Sequence, residues 1–284
     1  MKIGLDQFSF HRFYGDVFPW EVDPGRRWGL EEFLTFAREH HINLVGLHTH
    51  YLTPSEIEQL GETGLEIILE WGHPDGLKMG TSPASVDDLR RWLGVAARIG
   101  CRLVRIVAGY PTWRGREPVA TQIKRLTPVL REICVIATGH GLTLAIENHA
   151  DFSPHELVDL LDRVRHDALR ICFDTGNCVR TGANLIEATH LVAGRTAMVH
   201  LKDLRVLPSS IGDHNASWPS APLGQGSFDL PTVITVMRQN SFAGPWLVEL
   251  AHLHPDFPCE RVVLKQSLHW LKEHTEHDTT PLCR

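Results

Sequence analysis

Four short apolar runs in this chain end in a side chain able to bind a metal ion. Leu142-Thr-Leu-Ala-Ile-Glu147 and Leu169-Arg-Ile-Cys-Phe-Asp174 close on carboxylates, Thr196-Ala-Met-Val-His200 on an imidazole, and Pro245-Trp-Leu-Val-Glu249 on a third carboxylate. One acid at the end of one run needs no special explanation, since exposed carboxylates are normal. Four in phase are a different matter. If the runs are neighbouring parallel strands, their ends share one small volume, where three carboxylates repel strongly unless a cation neutralises them. One nitrogen and three oxygen donors suit Mn²⁺ first, with Mg²⁺, Co²⁺ or Zn²⁺ also compatible, and do not suit an ion that demands thiolates. The expectation is one divalent metal ion held by Glu147, Asp174, His200 and Glu249.

Such convergence needs a scaffold, and the chain has the rhythm of one. Runs rich in Val, Ile and Leu cover Lys2 to Phe8, Asn43 to Thr49, Glu66 to Gly72, Leu103 to Gly109, Leu142 to Asn148, Leu169 to Thr175, Thr196 to Asp203 and Pro245 to Leu250. Between them lie stretches of helical period, which marks parallel βα units, and eight such units make a barrel. Leu30, Phe33, Leu34 and Ala37 fall at i, i+3, i+4 and i+7, as do Leu157, Leu160, Leu161 and Val164, so each set forms one apolar stripe. Thr53-Pro54-Ser55-Glu56 and Ser153-Pro154-His155-Glu156 supply an N-cap hydroxyl, a proline at the first helical position and a glutamate to close a capping box. The expected fold is an α/β single (β/α)8 TIM barrel spanning residues 1–284 as one domain. Two segments exceed what a barrel needs, Phe10 to Trp28 and Leu204 to Gly226, and both would emerge at the carboxyl ends of strands as walls or lids of a site.

Composition agrees with a globular enzyme. The 284 residues are 43% hydrophobic and 22% charged, enough apolar surface for one large core. A formal net charge of -6 offers no footprint for a phosphate backbone, so nucleic acid is not an expected partner. No apolar run reaches membrane-spanning length, and Asp6 stands where the apolar core of a signal peptide would begin, which points to a cytoplasmic protein with no membrane partner. The six cysteines, Cys101, Cys134, Cys172, Cys178, Cys259 and Cys283, form no Cys-x-x-Cys pair and read as reduced thiols. A homodimer is the default assembly for a soluble enzyme.

Other polar residues fall where the mouth of a barrel would be. His149 and Lys202 lie two positions beyond Glu147 and His200, so strand alternation aims them the same way, toward a substrate hydroxyl, phosphate or carboxylate. Arg105 sits inside a strand, where a buried charge needs a partner such as a ligand carboxylate. His48, His50 and His73 follow the second and third strands as candidate substrate contacts. Trp71, with Phe8, Phe10 and Trp20, is a candidate apolar face for sugar C–H groups, core packing being the simpler role for Phe8.

At these residues the chain resembles the xylose isomerase-like barrel family of sugar and sugar-phosphate isomerases and epimerases. The matching pieces are Ala145-Ile-Glu147-Asn-His149, Phe173-Asp174-Thr-Gly-Asn177, Val199-His200-Leu-Lys202-Asp203 and Leu247-Val-Glu249-Leu, with Leu223-Gly-Gln-Gly226 before the last helix. The resemblance implies that Glu147 and Glu249 act from opposite sides of a small keto-sugar, exchanging protons with the carbon beside its carbonyl while also binding the metal. It also implies a substrate contact at Asn177, where the ketose 3-epimerases of the family carry histidine. That departure makes transfer of their substrate preference unsafe. The segments around Glu147 and Asp174, with Ser9-Phe-His11-Arg12 and Trp71-Gly-His73-Pro-Asp-Gly76, are similar to a branch that includes decarboxylases of branched 3-keto sugar acids, and add His11 to the candidate contacts. The leading expectation is therefore a metal-dependent isomerase or epimerase working through an enediolate. A decarboxylase or other lyase using the same enolate is the alternative, ahead of a non-catalytic sugar-binding barrel and of a nuclease, which the acidic balance disfavours.

Overall fold

The computed structural model describes residues 1–72, 74–207 and 218–276. Eight parallel strands close into a barrel: β1 (Lys2–Asp6), β2 (Leu44–His48), β3 (Glu66–Glu70), β4 (Leu103–Ile106), β5 (Thr143–Glu147), β6 (Leu169–Asp174), β7 (Thr196–Leu201) and β8 (Pro245–Val248), with β8 pairing back onto β1. The helices are α1 (Leu30–Glu39), α2 (Pro54–Gln59), α3 (Pro83–Arg98), α4 (Val119–Gly139), α5 (Pro154–Val164), α6 (Thr175–Arg180), α7 (Leu185–Val192), α8 (Leu230–Gln239) and α9 (Glu260–Glu276). The expected stripes on α1 and α5 are buried, and the Thr53 and Ser153 capping boxes both form. No helix among the described residues is long and apolar enough to cross a membrane. Cys101, Cys134, Cys172, Cys178 and Cys259 are free thiols, and Cys283 lies outside the described residues.

Strand alternation divides the core in two. Residues facing outward, such as Val45, Leu47, Ile67, Leu69, Val104, Ile146 and Val199, join the helices in one large apolar layer. Residues facing inward, Leu44, Ile68, Ala145, Cys172, Met198 and Leu247, form a small plug inside the barrel. Two positions further along each strand the next inward residue lies one layer nearer the mouth. There the side chains are polar: Glu70 above Ile68, Glu147 above Ala145, Asp174 above Cys172, His200 above Met198 and Glu249 above Leu247. A packed apolar floor thus fixes the height at which the polar residues sit.

The strands stop one to three residues before the ends expected from hydrophobicity. Their last expected residues leave the ladder to make local structure at the mouth. Gln7 opens a 3-10 helix, Gln7–Tyr14, capped by Asp6, and Thr175 opens α6, capped by Asp174. Asp203–Leu204 instead pairs antiparallel with Ser220–Ala221, and Glu249 lies just past β8, its N–H bonded to the Leu201 carbonyl at 3.2 Å. Of the two long segments, Phe10 to Trp28 divides its aromatics. Phe10 is fully buried against Phe13, Trp28, Phe33 and Phe36, correcting its place as a sugar-facing ring, whereas Phe18 and Trp20 reach the mouth. The middle of the second segment, 208–217, lies outside the described residues.

Candidate active site

A cavity of about 360 Å³ opens at the carboxyl ends of the strands. Glu147, Glu249, Arg105, Lys202, His48, His50, His149 and Asn177 line it, so eight expected polar site residues share one space. Asp174 and His200 lie just beneath, both fully buried. Register explains the adjacency, since Asp174 pairs with His200 across β6 and β7, and His48, Glu70 and Arg105 form one row across β2, β3 and β4.

Of the expected ligands, Glu249 and Glu147 lie nearest His200. Its Nδ1 lies 2.9 Å from Glu249 Oε2 and 3.9 Å from Glu147 Oε2, while Nε2, on the far side of the ring, faces Glu70 Oε1 at 3.4 Å and Asp6 Oδ2 at 3.6 Å. Asp174 is drawn in by Lys202, whose Nζ is 2.8 Å from both Asp174 Oδ2 and Glu249 Oε1. The four side chains therefore do not collapse into one tight cluster. The compact donor groups are instead Asp6, His200 and Glu249, then Glu147, Cys172 and His200, and Asp6, His48 and Glu70. Burial pushes the Cys172 thiol up to about 12, so it sits in the floor as a neutral group rather than a thiolate.

Whether these residues fit a cation is tested by their unsatisfied atoms. Glu147 Oε2, Asp174 Oδ2, His200 Nδ1 and Glu249 Oε2 are all buried and lack a partner with hydrogen-bond geometry, one atom from each member of the set. Buried polar atoms are normally satisfied, and these four have only charged neighbours, Lys202 at Asp174 Oδ2, Arg105 at Glu147 Oε2, and His200 Nδ1 and Glu249 Oε2 facing each other, which leaves their lone pairs open to a ligand. Three carboxylate oxygens and an imidazole nitrogen fit a divalent ion.

Electrostatics separate the two acid/base candidates. Burial, with Asp174 and Glu249 adding to it, pushes the Glu147 carboxyl up to about 7, against the pull of Arg105 and His200. Burial acts on Glu249 as well, but Lys202 and His200 outweigh it and hold this carboxyl well below its usual range. Glu147 is oriented by two neighbours: Asn177 Nδ2 donates to Oε1 at 3.0 Å, and Arg105 Nε lies 3.2 Å from Oε2. The same arginine donates to Glu70, which stays ionised at about 2 despite burial because Arg105 and His200 face it. His48, driven down to about 3 by burial and by Arg105, is a neutral ring bonded to Asp6 at 2.9 Å.

Two expected contacts face elsewhere. Trp71 is buried, and its Nε1 donates to Asp88 on α3 at 2.8 Å. Alternation after the inward Glu70 turns the next residue toward the helices, so Trp71 belongs to the outer core. His11 is also buried, bonded through Nδ1 to the Phe8 carbonyl and through Nε2 to Glu21. It fastens the segment after β1, while Phe8 rather than a core position takes the cavity wall. His73 lies outside the described residues. Sequence reasoning missed Asp6, Glu70, Tyr110, Arg180 and His252. The first two end their strands on the inward face, a signal available in the strand period.

The chain matches the model of the xylose isomerase-like TIM barrel over residues 2–274 and belongs to that family. It is 24% identical over 191 residues to the 3-oxo-isoapionate decarboxylase of Pectobacterium atrosepticum, a match covering 66% of this chain and 64% of the relative, so it spans a little under two thirds of that protein. Among solved structures it superposes on a D-tagatose 3-epimerase-like protein with a TM-score of 0.73 at 20% identity, covering 97% of both chains. It also superposes on the IOLI protein with a binding zinc atom, with a TM-score of 0.76 at 16% identity over 96% of this chain and 98% of the other. At these identities the superpositions establish the barrel alone.

Proposed function

We propose that the chain is an enzyme holding one divalent ion, Mn²⁺ by preference, with Glu147, Asp174, His200 and Glu249, and that it isomerises or epimerises a small keto-sugar through an enediolate. The observation that carries this is the placement of Glu147 and Glu249 in the wall of one cavity, directly above the buried Asp174 and His200, where their surroundings push the two carboxyls in opposite directions. Two titratable groups pushed apart by their surroundings are the mark of acid/base work. When bound, the ion supplies the positive charge that stabilises the negative oxygen developing as a proton leaves the neighbouring carbon.

The chain's own groups do the rest. Glu249 Oε2 takes the proton from the carbon beside the carbonyl, while Lys202 at Oε1 keeps that carboxylate ionised between turnovers. Glu147 then delivers a proton from the opposite side, its Oε1 fixed by Asn177 so that the acid stays aimed. His149 and Lys202 border the substrate's path, and Phe8, Phe18 and Trp20 offer an apolar wall. A second reading is favoured by the match to a decarboxylase and by Asn177 in place of the epimerase histidine. There the carbon–carbon bond to a carboxylate breaks, carbon dioxide leaves, and the electron pair enters the same enolate before a proton returns to carbon.

Incubating the metal-replete protein with ketoses and 3-keto sugar acids in deuterated water separates the two. Solvent deuterium at the carbon beside the carbonyl of a recovered ketose supports isomerisation. Carbon dioxide from the keto acid with no label in any ketose supports the lyase, and neither signal overturns both.

A further inference from the structure

We infer that Arg180 anchors a carboxylate on the substrate, so that this cavity takes a short keto-sugar acid in preference to a neutral sugar. The inference rests on the enolate reading above and specifies its substrate class. Its basis is one face of α6. Asp174, Asn177 and Arg180 stand at i, i+3 and i+6 and run outward from the floor to the opening: Asp174 is 0% exposed, Asn177 4%, and Arg180 half-buried. Six residues of helix carry the backbone about 9 Å. The Arg180 side chain turns back along that distance, its Nη1 donating to Asn177 Oδ1 at 3.1 Å.

The same Asn177 amide donates to Glu147 Oε1, so a single amide separates the guanidinium from a carboxylate that reaches the reacting carbon. A substrate acid seated on Arg180 would lie within a few carbon atoms of that centre. The other two cations of the wall serve the centre itself, Arg105 beside Glu70 and Glu147, Lys202 beside Asp174 and Glu249. Arg180 is the outermost of the three. It faces the cavity beside His149 and His252. His149 Nδ1 is buried without a hydrogen-bond partner and is available to a substrate hydroxyl. A guanidinium fork matches the plane of a carboxylate better than it matches any neutral polyol group.

The test is calorimetric binding of a short aldonate, the matching alditol and the alditol phosphate to metal-replete protein. The aldonate is expected to bind about tenfold more tightly than the alditol or better. Arg180→Met should erase that margin and leave alditol affinity nearly unchanged, and Arg180→Lys should keep part of it. Equal binding of aldonate and alditol to the wild type, a parallel loss of both in Arg180→Met, or a preference for the phosphate would overturn the assignment. A margin that disappears in Arg180→Met, in a protein that neither exchanges solvent deuterium nor releases carbon dioxide, would uphold the anchor and overturn the enolate reading instead.

Discussion

The mouth of this barrel has two sides that handle buried charge in opposite ways. On the β1 to β4 side, His48 bonds to Asp6 and Arg105 to Glu70, so that of these four residues only Asp6, through Oδ2, keeps a buried atom without a hydrogen-bond partner. On the β5 to β8 side, Glu147, Asp174, His200 and Glu249 each keep one buried atom without a hydrogen-bond partner. His200 stands at the seam, Nδ1 toward the unsatisfied set and Nε2 toward Asp6 and Glu70. Buried charges that complete one another hold a shape, whereas those left incomplete await a ligand. In the proposed function the more fully paired side positions, and the other side carries the chemistry.

That division is sharpest at Glu249. Glu249→Gln removes one oxygen of the unsatisfied set and the group proposed to take the proton, while the glutamine keeps its size. Turnover is expected to fall by about 10³-fold, within the span that loss of a general base brings, and the bound metal should drop measurably by elemental analysis. Full activity in this variant would show that the unpaired side is not where the chemistry occurs.

Glu70→Gln probes the other side. Glu70 touches no proposed substrate position, yet it faces His200 Nε2, and a carboxylate there would hold the ring proton on that nitrogen and leave Nδ1 to a bound ion. Gly46 lets this happen, because a Cβ on it would lie 2.9 Å from Glu70 Oε1 and 3.2 Å from Asp6 Oδ2. Metal affinity is expected to weaken about 10- to 100-fold in Glu70→Gln, the usual range for losing such an outer partner. In the metal-free protein, where against burial Cys172, Glu70 and Glu249 hold the His200 ring protonated, the variant should lower its titration, read from the ring nitrogen shifts. Unchanged affinity and unchanged shifts would mean that the paired side is only structural.

These contrasts also explain what the sequence revealed. The inward acids could be read because a strand repeats every two residues, and an apolar floor residue followed two later by a charge marks the mouth. The same rule, applied to Glu66–Glu70, would have turned Trp71 outward and brought Glu70 in. Hydrophobicity carried each strand past its true end, since residues such as Thr175 are buried for reasons unrelated to the sheet. That overrun hid α6. Once Asp174 is seen as its N-cap, Asn177 and Arg180 fall on one helical face, but a strand extended through Thr175 gives no reason to look there. His11 reads as a contact only while its partner Glu21, ten residues away in an irregular segment, goes unnoticed.

The smallest expected effect concerns a carboxyl that belongs to neither side. Asp151 follows β5, accepts the Gly109 and Phe152 N–H groups at 2.9 and 2.8 Å, and has its carboxyl pushed up to about 7 by burial. An unfolded aspartate titrates near 3.9, so between about pH 4 and pH 7 the folded state holds a proton that the unfolded state has lost. Stability from this group is complete at the acid end of that window and declines as pH rises through the folded value. Asp151→Asn has no proton to lose. It should melt lower than the wild type at pH 5, where one backbone N–H loses its acceptor, but its further fall between pH 5 and pH 8 should be smaller by several degrees. Melting curves on metal-replete protein keep the ligand carboxylates ionised throughout, so the difference between the two slopes reports Asp151 alone. Parallel slopes would show that its backbone donors already hold it ionised, and that burial outside the metal set is better compensated than inside it.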